Sequence, residues 1–429
     1  MTGHAGTNRP VNSKWNRWKK PGAKLPENSI FNRRFMKTTI AWTKLFRGFF
    51  DSERIGGLLL LFCTIISLVI ANSGWGEAYI HFWHQKADLS FAGLQLNFTV
   101  EHWINDGLMT IFFLLVGLEI ERELYAGELQ SFSNALLPIA AAVGGMLVPA
   151  AIHFFFNGGT PTQGGFGIPM ATDIAFALGM LSLAGNRVPY SLKIFLTALA
   201  IIDDLGAILV IAIFYSTGMQ WLYLAISAAI LGALYFLSRL KVYNLLFYLV
   251  PGVVLWYCMM QSGVHPTIAG VLLAFVIPFS GDNESTPSYK LQQFLHKPVA
   301  FFIIPLFALA NTGILLKEGW LSEMRTQNSL GIITGLVIGK PVGILFFCFI
   351  AIKLLKAKLP QNVRWVNLTG AAVLAGIGFT MSIFISNLAF SNPELISYSK
   401  VAVLMGSFIA SVAGLTILLN TKQVDEAEE

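Results

Sequence analysis

Two adjacent carboxylates interrupt one of the most apolar stretches of the chain. Asp203 and Asp204 lie near the middle of the run ALAIIDDLGAILVIAIFY, residues 198–215. On insertion scales a single Asp at the centre of a membrane-spanning helix costs about 2.5–3.5 kcal/mol. Charges kept there face the interior of the helix bundle and mark ion or proton pathways. The pair is therefore predicted to be the functional centre of a membrane protein.

Two neighbouring carboxylates suit the exchange of protons for a small cation. Like charges this close cannot both ionise freely, so the pair is expected to titrate as one coupled unit. A hard cation such as Na⁺ prefers oxygen ligands, which Asp203 and Asp204 supply. Protons and the cation then compete for the same oxygens. If only a loaded site can face the other side of the membrane, this competition becomes obligatory exchange.

Two further ionisable residues lie deep in apolar stretches. Asp173 follows Thr172 in GGFGIPMATDIAFALG, residues 164–179, where glycines and Pro169 interrupt the apolar run. Lys340 lies near the middle of another predicted span. Asp173 is expected to offset the dipoles of half-helix N-termini, and Lys340 to act near half-helix C-termini. Lys340 could also stabilise a carboxylate or carry a proton, and a purely structural role stays open for both residues.

A second interrupted stretch matches the first. TGAAVLAGIGFTMSIF, residues 369–384, is rich in glycine and carries Thr380 and Ser382 near its middle. Interrupted spans at corresponding places in two halves of a chain point to a transporter binding site. The blocks 134–216 and 329–420 start on opposite sides of the membrane, which predicts inverted-topology repeats with two interrupted, crossing helices.

The elements that must position these residues are membrane spans. The chain is 55% hydrophobic and 12% charged, whereas a soluble domain is about 25% charged. A span needs about 20 apolar residues, and such stretches recur from Ile55 almost to the end, which predicts an all-α polytopic membrane protein. The twelve predicted spans are 55–73, 103–121, 134–156, 166–185, 191–216, 220–237, 243–261, 263–280, 298–317, 329–353, 366–390 and 398–420.

The distribution of positive charge predicts the orientation. Residues 1–54 hold twelve Lys/Arg against three acids, which is typical of a cytoplasmic arm near anionic lipid rather than a nucleic-acid-binding arm. Of the later basic residues, twelve fall in predicted inside segments and four in outside segments. Both termini are therefore expected in the cytoplasm. The predicted organisation is a basic arm (1–54), a twelve-span transporter domain (55–420) and a cytoplasmic tail (421–429).

One external loop has the pattern of a β-hairpin. LSFAGLQLNFTV, residues 89–100, alternates apolar and polar residues around Ala92-Gly93. A two-stranded hairpin is marginal alone, so pairing with a second copy is predicted and the chain is expected to be a homodimer.

The three cysteines, Cys63, Cys258 and Cys348, all lie in apolar runs without a CxxC neighbour. They are interpreted as buried hydrophobes rather than a disulfide framework or a metal site. No cofactor is expected.

At these residues the sequence resembles the NhaA family of bacterial sodium/proton antiporters. The resemblance is carried, in order along the chain, by FFLLVGLEIERE (112–123), PMATDIAFALG (169–179), LTALAIIDDLGAI (196–208), SGVHPTIAG (262–270), PLFALANTG (305–313), GKPVGI (339–344) and GIGFTMSIFI (376–385).

The resemblance implies twelve spans in the bacterial inner membrane. It also implies electrogenic exchange of cytoplasmic Na⁺ or Li⁺ for two external protons, with activation at alkaline pH. By the family pattern Asp203 and Asp204 carry the cation and the protons. Thr172 and Asp173 support the helix crossing, while Lys340 balances it and interacts with Asp203.

The alkaline activation of the family points to a set of sensors. The candidates at the cytoplasmic mouth are Glu119, Arg122, Glu123 and His296. His265, at the outer end of its span, is a further candidate. Glu121 stands where a basic or neutral residue is expected, and Gln292 where a carboxylate is usual. These departures affect the expected pH set-point rather than the transport.

Three other functions compete with antiport. A sodium-coupled symporter of organic anions would have to bind its anionic substrate beside two carboxylates, and the negative charges would repel each other. An intramembrane aspartyl protease would need a GxGD motif, and adjacent helical residues point about 100° apart, which suits a shared-proton pair poorly. A sensor or scaffold would not need interrupted spans. ATP-driven pumping is disfavoured because GLVIGKPVG lacks the spacing and hydroxyl of a phosphate-binding loop.

Overall fold

The computed structural model describes residues 55–90, 96–216, 218–279, 286–317 and 319–421. The predicted basic arm, residues 1–54, and residues 422–429 of the predicted tail lie outside the described residues.

Fifteen helical segments, numbered here α1 to α15, make up most of the described chain. Their bounds are α1 Ile55–Ala71, α2 Gly76–His84, α3 Val100–Ala126, α4 Phe132–Asn157, α5 Gln163–Met170, α6 Ile174–Leu183, α7 Tyr190–Phe214, α8 Trp221–Arg239, α9 Leu246–Ser262, α10 Ile268–Ala274, α11 Pro287–Asn311, α12 Gln327–Leu354, α13 Trp365–Ala375, α14 Phe379–Ala389 and α15 Pro393–Leu419. Short helical turns also occur at Glu128–Gln130, Gly185–Arg187 and Trp320–Glu323.

The predicted class, an all-α multi-pass membrane protein, is confirmed. Within the described ranges, seven helices are long and apolar enough to cross a membrane, and three bent pairs raise the number to ten. The bent pairs are α1 with α2, α5 with α6, and α13 with α14. The seventh and eighth predicted spans correspond to α9, which has 17 residues, and to α10, which has seven.

Two spans differ from their predicted limits. The eighth was predicted over 263–280, but α10 occupies only Ile268–Ala274, after a turn at Gly263 with φ 83°. The ninth was predicted over 298–317, but α11 begins at Pro287 and ends at Asn311. The first turns of α11 carry Lys, Gln and His, so their low hydropathy did not indicate a span. The helix nevertheless begins there, with a proline at its first position.

Two blocks of the fold share one architecture. In the first, the continuous helices α4 and α7 flank the interrupted pair α5–α6, and in the second α12 and α15 flank α13–α14. The blocks pack directly on each other, since α12 lies along α4. A Cβ on Gly144 would lie 2.3 Å from the Gly343 carbonyl oxygen, so these two helices approach as closely as only glycine permits.

The predicted hairpin is present. Strands Lys86–Asp88 (β1) and Asn97–Thr99 (β2) pair antiparallel, with Ala87 opposite Phe98. The first strand begins earlier than the predicted stretch 89–100, because the residues that follow it belong to the connection. The three cysteines are buried and free, as expected.

Candidate functional site

Both interrupted helices break at residues that disfavour continuous helix. Between α5 and α6, residues 171–173 are extended, directly after Pro169. Between α13 and α14 lie residues 376–378, of which Gly376 and Gly378 lack side chains. The two pairs bend by 40° and 41°. Each break therefore leaves unpaired backbone groups inside the bundle.

The two breaks lie against each other and satisfy one another's backbone. The Asp173 amide donates to the Ile377 carbonyl at 2.7 Å. The Thr172 hydroxyl donates to the Ala375 carbonyl at 2.9 Å. The Ser382 hydroxyl donates to the Ile168 carbonyl at 2.6 Å. The predicted crossing of the interrupted stretches is therefore seen directly in the contacts.

Asp173 caps two half-helices at once. Its Oδ1 accepts from the Phe176 amide at 2.9 Å, which closes the first turn of α6. Its Oδ2 accepts from the Thr380 amide at 3.1 Å and also from the Thr380 hydroxyl, at the start of α14. Two helix N-termini thus face one carboxylate, an arrangement that their dipoles favour.

The adjacent aspartates and the lysine meet beside this crossing. Asp203, Asp204 and Lys340 are 0%, 1% and 0% exposed. Lys340 Nζ lies 2.8 Å from Asp203 Oδ2. The Thr172 hydroxyl lies 2.7 Å from the same oxygen and 2.9 Å from the Ala375 carbonyl, so its single proton is shared between these two acceptors. Lys340 Nζ donates as well to the Met170 carbonyl at the end of α5. The ammonium therefore joins a helix C-terminus to one of the two aspartates.

Three carboxylate oxygens at this site lack a donor. Within the described chain, no protein group donates to Asp203 Oδ1, Asp204 Oδ1 or Asp204 Oδ2. Buried polar atoms are normally hydrogen-bonded, so three unpaired oxygens on consecutive residues need a reason. Oxygen donors clustered in a buried site are what a hard monovalent cation or protons would bind.

A local change of helix type positions Lys340. Residues Gly335–Gly339 form a π-helical turn inside α12, and Lys340 follows it directly. Such turns occur often at functional sites. Gly335 and Gly339 let this turn lie close to Pro169 and Pro149, because a Cβ on either would come within 3.0 Å of them. This turn was not predicted from the sequence, in which Gly335 and Gly339 stand just before Lys340.

The predicted mouth sensors lie together at the end of α3 and the start of α11. Arg122 Nη2 lies 3.1 Å from Glu123 Oε1. The Gln292 side chain hydrogen-bonds Glu119, and His296 lies within electrostatic range of Arg122. The three carboxylates of this turn, Glu119, Glu121 and Glu123, are buried.

Both departures from the family pattern lie at this junction. Gln292 contacts Glu119 as described, and the Ser288 hydroxyl donates to Glu121 Oε2 at 3.1 Å. Each therefore joins α3 to the first turns of α11.

His265 belongs to a different place. Its Nε2 lies 3.6 Å from Asp106 Oδ1, and its Nδ1 contacts the Thr267 hydroxyl at 2.7 Å. Asp106 lies near the start of α3, about 20 Å along the helix from Glu119. The structure thus divides the predicted sensors between the two ends of α3. Asp106 itself was missed, because it lies at the edge of a predicted span.

This architecture defines a class of protein. A helix bundle in which two interrupted helices cross beside buried, oppositely charged side chains is that of a membrane transporter. The profile of the family described as Na⁺/H⁺ antiporter 1 matches residues 47–418. The chain belongs to this family, which is itself one of the known examples of inverted-repeat transporters.

Curated relatives agree over nearly their whole length. The chain is 57% identical over 376 residues to Na(+)/H(+) antiporter NhaA 1 of Flavobacterium johnsoniae, covering 88% of this chain and 97% of the relative. It is 55% identical over 379 residues to the NhaA antiporter of Cytophaga hutchinsonii, covering 88% and 96%. It is 56% identical over 387 residues to that of Dechloromonas aromatica, covering 89% and 97%.

Proposed function

We propose that this protein exchanges Na⁺, and also Li⁺, for protons at Asp203 and Asp204. The observation that carries the proposal is the set of three unpaired, buried carboxylate oxygens on these two residues. Named Na⁺/H⁺ antiporters that match the chain over its transporter region support it. The proposed exchange is secondary active transport, in which the proton gradient and the membrane potential drive the cation.

The charges at the site favour a monovalent cation. With both aspartates ionised and Lys340 protonated, the three groups sum to one negative charge, while the nearby carboxylate of Asp173 faces two helix N-termini that offset its charge. One Na⁺ neutralises that charge, whereas a divalent ion would leave a buried excess. Protons neutralise it too, so cation and proton compete for the same oxygens. Thr172 and Lys340 hold Asp203 in place, and Asp204 provides two oxygens that accept no hydrogen bond within the described part of the chain.

Two protons per cation are consistent with these groups. Asp204 and Asp203 can each take one proton when Na⁺ leaves, or Lys340 can supply the second protonation site. Export of one Na⁺ against entry of two protons moves one net positive charge inwards per cycle. The exchange is then electrogenic and is driven by a membrane potential that is negative inside.

The proposed location is the bacterial inner membrane, with both termini in the cytoplasm. The positive-inside distribution supports this orientation. It puts the start of α3, the hairpin and the ends of α11 and α14 at the outer face. The end of α3 and the start of α11 then form the cytoplasmic mouth.

Regulation by pH is proposed for the mouth cluster. Glu119, Arg122, Glu123 and His296 gather within one junction of two helices. Titration there changes the packing of α11 on α3 close to the cytoplasmic entrance. His265, facing Asp106, is proposed to respond to the outer pH instead. Homodimer formation is proposed for the hairpin, whose two short strands expose an edge.

The test is exchange in vesicles. The purified protein is reconstituted with a pH dye inside acidic vesicles, and Na⁺, Li⁺ and then K⁺ are added outside between pH 6.5 and 9. Na⁺ and Li⁺ should raise the internal pH, more steeply at alkaline pH. The double variant Asp203→Asn/Asp204→Asn should show no response, whereas Glu77→Gln, at an exposed carboxylate, should behave as the parent. Absence of cation-dependent proton movement at every pH would reject the proposal.

A further inference from the structure

Four helices meet in a buried, amide-rich contact centred on Asn311, the last residue of α11. Asn311 Nδ2 donates to Asn105 Oδ1 at 2.8 Å. Asn387 Nδ2 donates to Asn311 Oδ1 at 2.7 Å, and Lys400 Nζ lies 3.4 Å from the same oxygen. Asn311 is 2% and Lys400 8% exposed. We call Asn105, Asn311, Asn387 and Lys400 the outer amide cluster.

The members of the outer amide cluster come from two different parts of the fold. Asn387 on α14 and Lys400 on α15 belong to the second of the two blocks that carry the ion site. Asn105 on α3 and Asn311 on α11 belong to the helices around those blocks. The bonds from Asn311 to Asn387 and Lys400 therefore join a block to its surroundings, whereas the bond to Asn105 stays within the surroundings.

Charged contacts join the same two parts nearby. Lys400 Nζ lies 3.8 Å from Glu101 Oε1 at the start of α3. Lys317, just after α11, lies 2.8 Å from Glu394 in the first turn of α15. The sequence analysis counted Lys400 only as an external charge, but its side chain is buried and points at both Asn311 and Glu101.

An aromatic layer separates the outer amide cluster from the ion site. Phe384 lies one turn before Asn387 on α14, and Phe307 lies one turn before Asn311 on α11. Their ring centroids are 6.4 Å apart, and the Phe113 ring of α3 lies 5.5 Å from Phe384. One further turn towards the start of α14 lies Thr380, whose amide donates to the Asp173 carboxylate. The aromatic residues thus form the first layer between the carboxylates and the outer face, and the outer amide cluster forms the second.

We infer that the outer amide cluster is a polar lock that holds the outer side of the ion site closed and must part in each transport cycle. The inference rests on the exchange proposed above, because exchange requires the site to face both sides in turn. In transporters built from repeats, this motion is largely a rigid-body movement of one part against the other. The bonds of Asn311 to Asn387 and Lys400 lie across that boundary and have to break.

The chemistry of the lock suits repeated opening. A neutral amide hydrogen bond contributes little net free energy, because water replaces it when it breaks. Lys400 stands 3.4–3.8 Å from its two partners rather than in a short ion pair. The outer amide cluster can therefore hold the outer side closed and still open again in each transport cycle.

The test is a reversible cross-link with a matched control that shares one residue. In a background without the native cysteines, Asn311→Cys is combined either with Asn387→Cys, across the boundary, or with Asn105→Cys, within the surroundings. Both pairs of side chains touch in the structure. Exchange is measured before oxidation, after it and after reduction, and a short bifunctional thiosulfonate replaces oxidation if a disulfide does not form.

The expected result is loss of exchange in the 311–387 protein on cross-linking, recovery on reduction, and no change in the 105–311 protein. Full exchange by the cross-linked 311–387 protein would overturn the lock. An equal loss of exchange in both cross-linked proteins would also overturn the lock, because Asn105 would then have to move relative to Asn311 as well. No exchange in the cysteine-free parent would instead reject the proposed function, and the lock with it.

A second variant measures the lock without cross-linking. Asn387→Ala removes the shortest bond across the boundary and should increase the outward-open fraction. The half-saturating Na⁺ concentration in right-side-out vesicles should then fall by about three- to ten-fold. Asn420→Ala, an exposed residue after α15, is the control and should cause no shift. An unchanged value for Asn387→Ala contradicts the lock.

Discussion

Asp204 differs from its neighbour Asp203 in its surroundings, although both are buried on one helix. Asp203 accepts from Thr172 and Lys340, whereas neither oxygen of Asp204 has a donor among the described residues. Asp203 thus has a hydrogen-bonded ion-pair partner, whereas Lys340 acts on Asp204 only electrostatically, without a hydrogen bond. The two residues should therefore respond in opposite directions to the same substitution.

Asp204→Asn is expected to abolish exchange and to leave the melting temperature in detergent unchanged or higher. The change removes a buried charge that accepts no hydrogen bond from the described residues. Asp203→Asn should nearly abolish exchange and lower the free energy of unfolding by about 3 kcal/mol, because Lys340 loses its partner. Vesicle exchange and thermal unfolding are measured on both. Equal stability changes would show that the ion pair with Lys340 is not selective for Asp203.

Lys340→Met should destabilise the protein by about 3–5 kcal/mol, since it leaves Asp203 buried without its ammonium. The double variant Asp203→Asn/Lys340→Met should recover most of that stability, because replacing both members of a buried pair is often nearly neutral. It should not recover exchange. Thermal unfolding of the parent, the two single variants and the double variant gives the coupling directly. Additive losses would contradict the pairing.

At the scale of elements, the two interrupted helices form one unit. Each break is stabilised by the other chain segment, through the contacts of Asp173 with Ile377 and of Thr172 with Ala375. Neither pair α5–α6 nor α13–α14 would keep its break alone in an apolar environment, since unpaired backbone groups there are costly. The crossing is thus the condition for having a polar site at this depth.

Asp173→Ala should lower stability by about 1–4 kcal/mol, the loss of two N-caps at about 0.5–2 kcal/mol each. Asp173→Asn should lose less, because an amide oxygen can still cap one of the two half-helices. Asn392→Ala removes the single, exposed cap of α15 and is the control for the loss of one cap. Thermal unfolding of the three variants ranks them. If Asp173→Ala cost no more than Asn392→Ala, Asp173 would not serve two helices.

At the scale of the whole molecule, the hairpin lies away from the ion site and its role can be separated from transport. Deletion of residues 89–99 removes β2 and most of the hairpin connection. We expect the deletion to weaken dimers in a mild detergent, measured by light scattering during size-exclusion chromatography. Exchange by the remaining monomer should persist, because no ion-site residue lies in the loop. Dimers that remain intact after the deletion would reject the hairpin as the interface.

Much of the fold could be predicted because its determinants are local. The cost of a charge in an apolar run, the length of a span and the breaking of a helix by Pro169 or Gly376 depend on a few neighbouring residues. The predicted limits of a span were wrong where the polarity of a segment does not follow its depth in the membrane. The start of α11 is polar yet helical, and α10 is apolar yet short.

Apolar run lengths and helix-breaking residues were enough to predict that the chain spans the membrane and that two spans are interrupted, and both predictions are confirmed. That Asp203 and Asp204 form the functional centre stays a prediction. Only the tertiary structure decided which groups meet. Lys340 reaches Asp203 and the Met170 carbonyl, while neither oxygen of Asp204 accepts a hydrogen bond from the residues that the structure describes. Lys400, counted from sequence as an external charge, becomes a buried contact of Asn311. The reason is physical: hydropathy is a sum over neighbours in sequence, whereas a contact across more than a hundred residues exists only once helices pack.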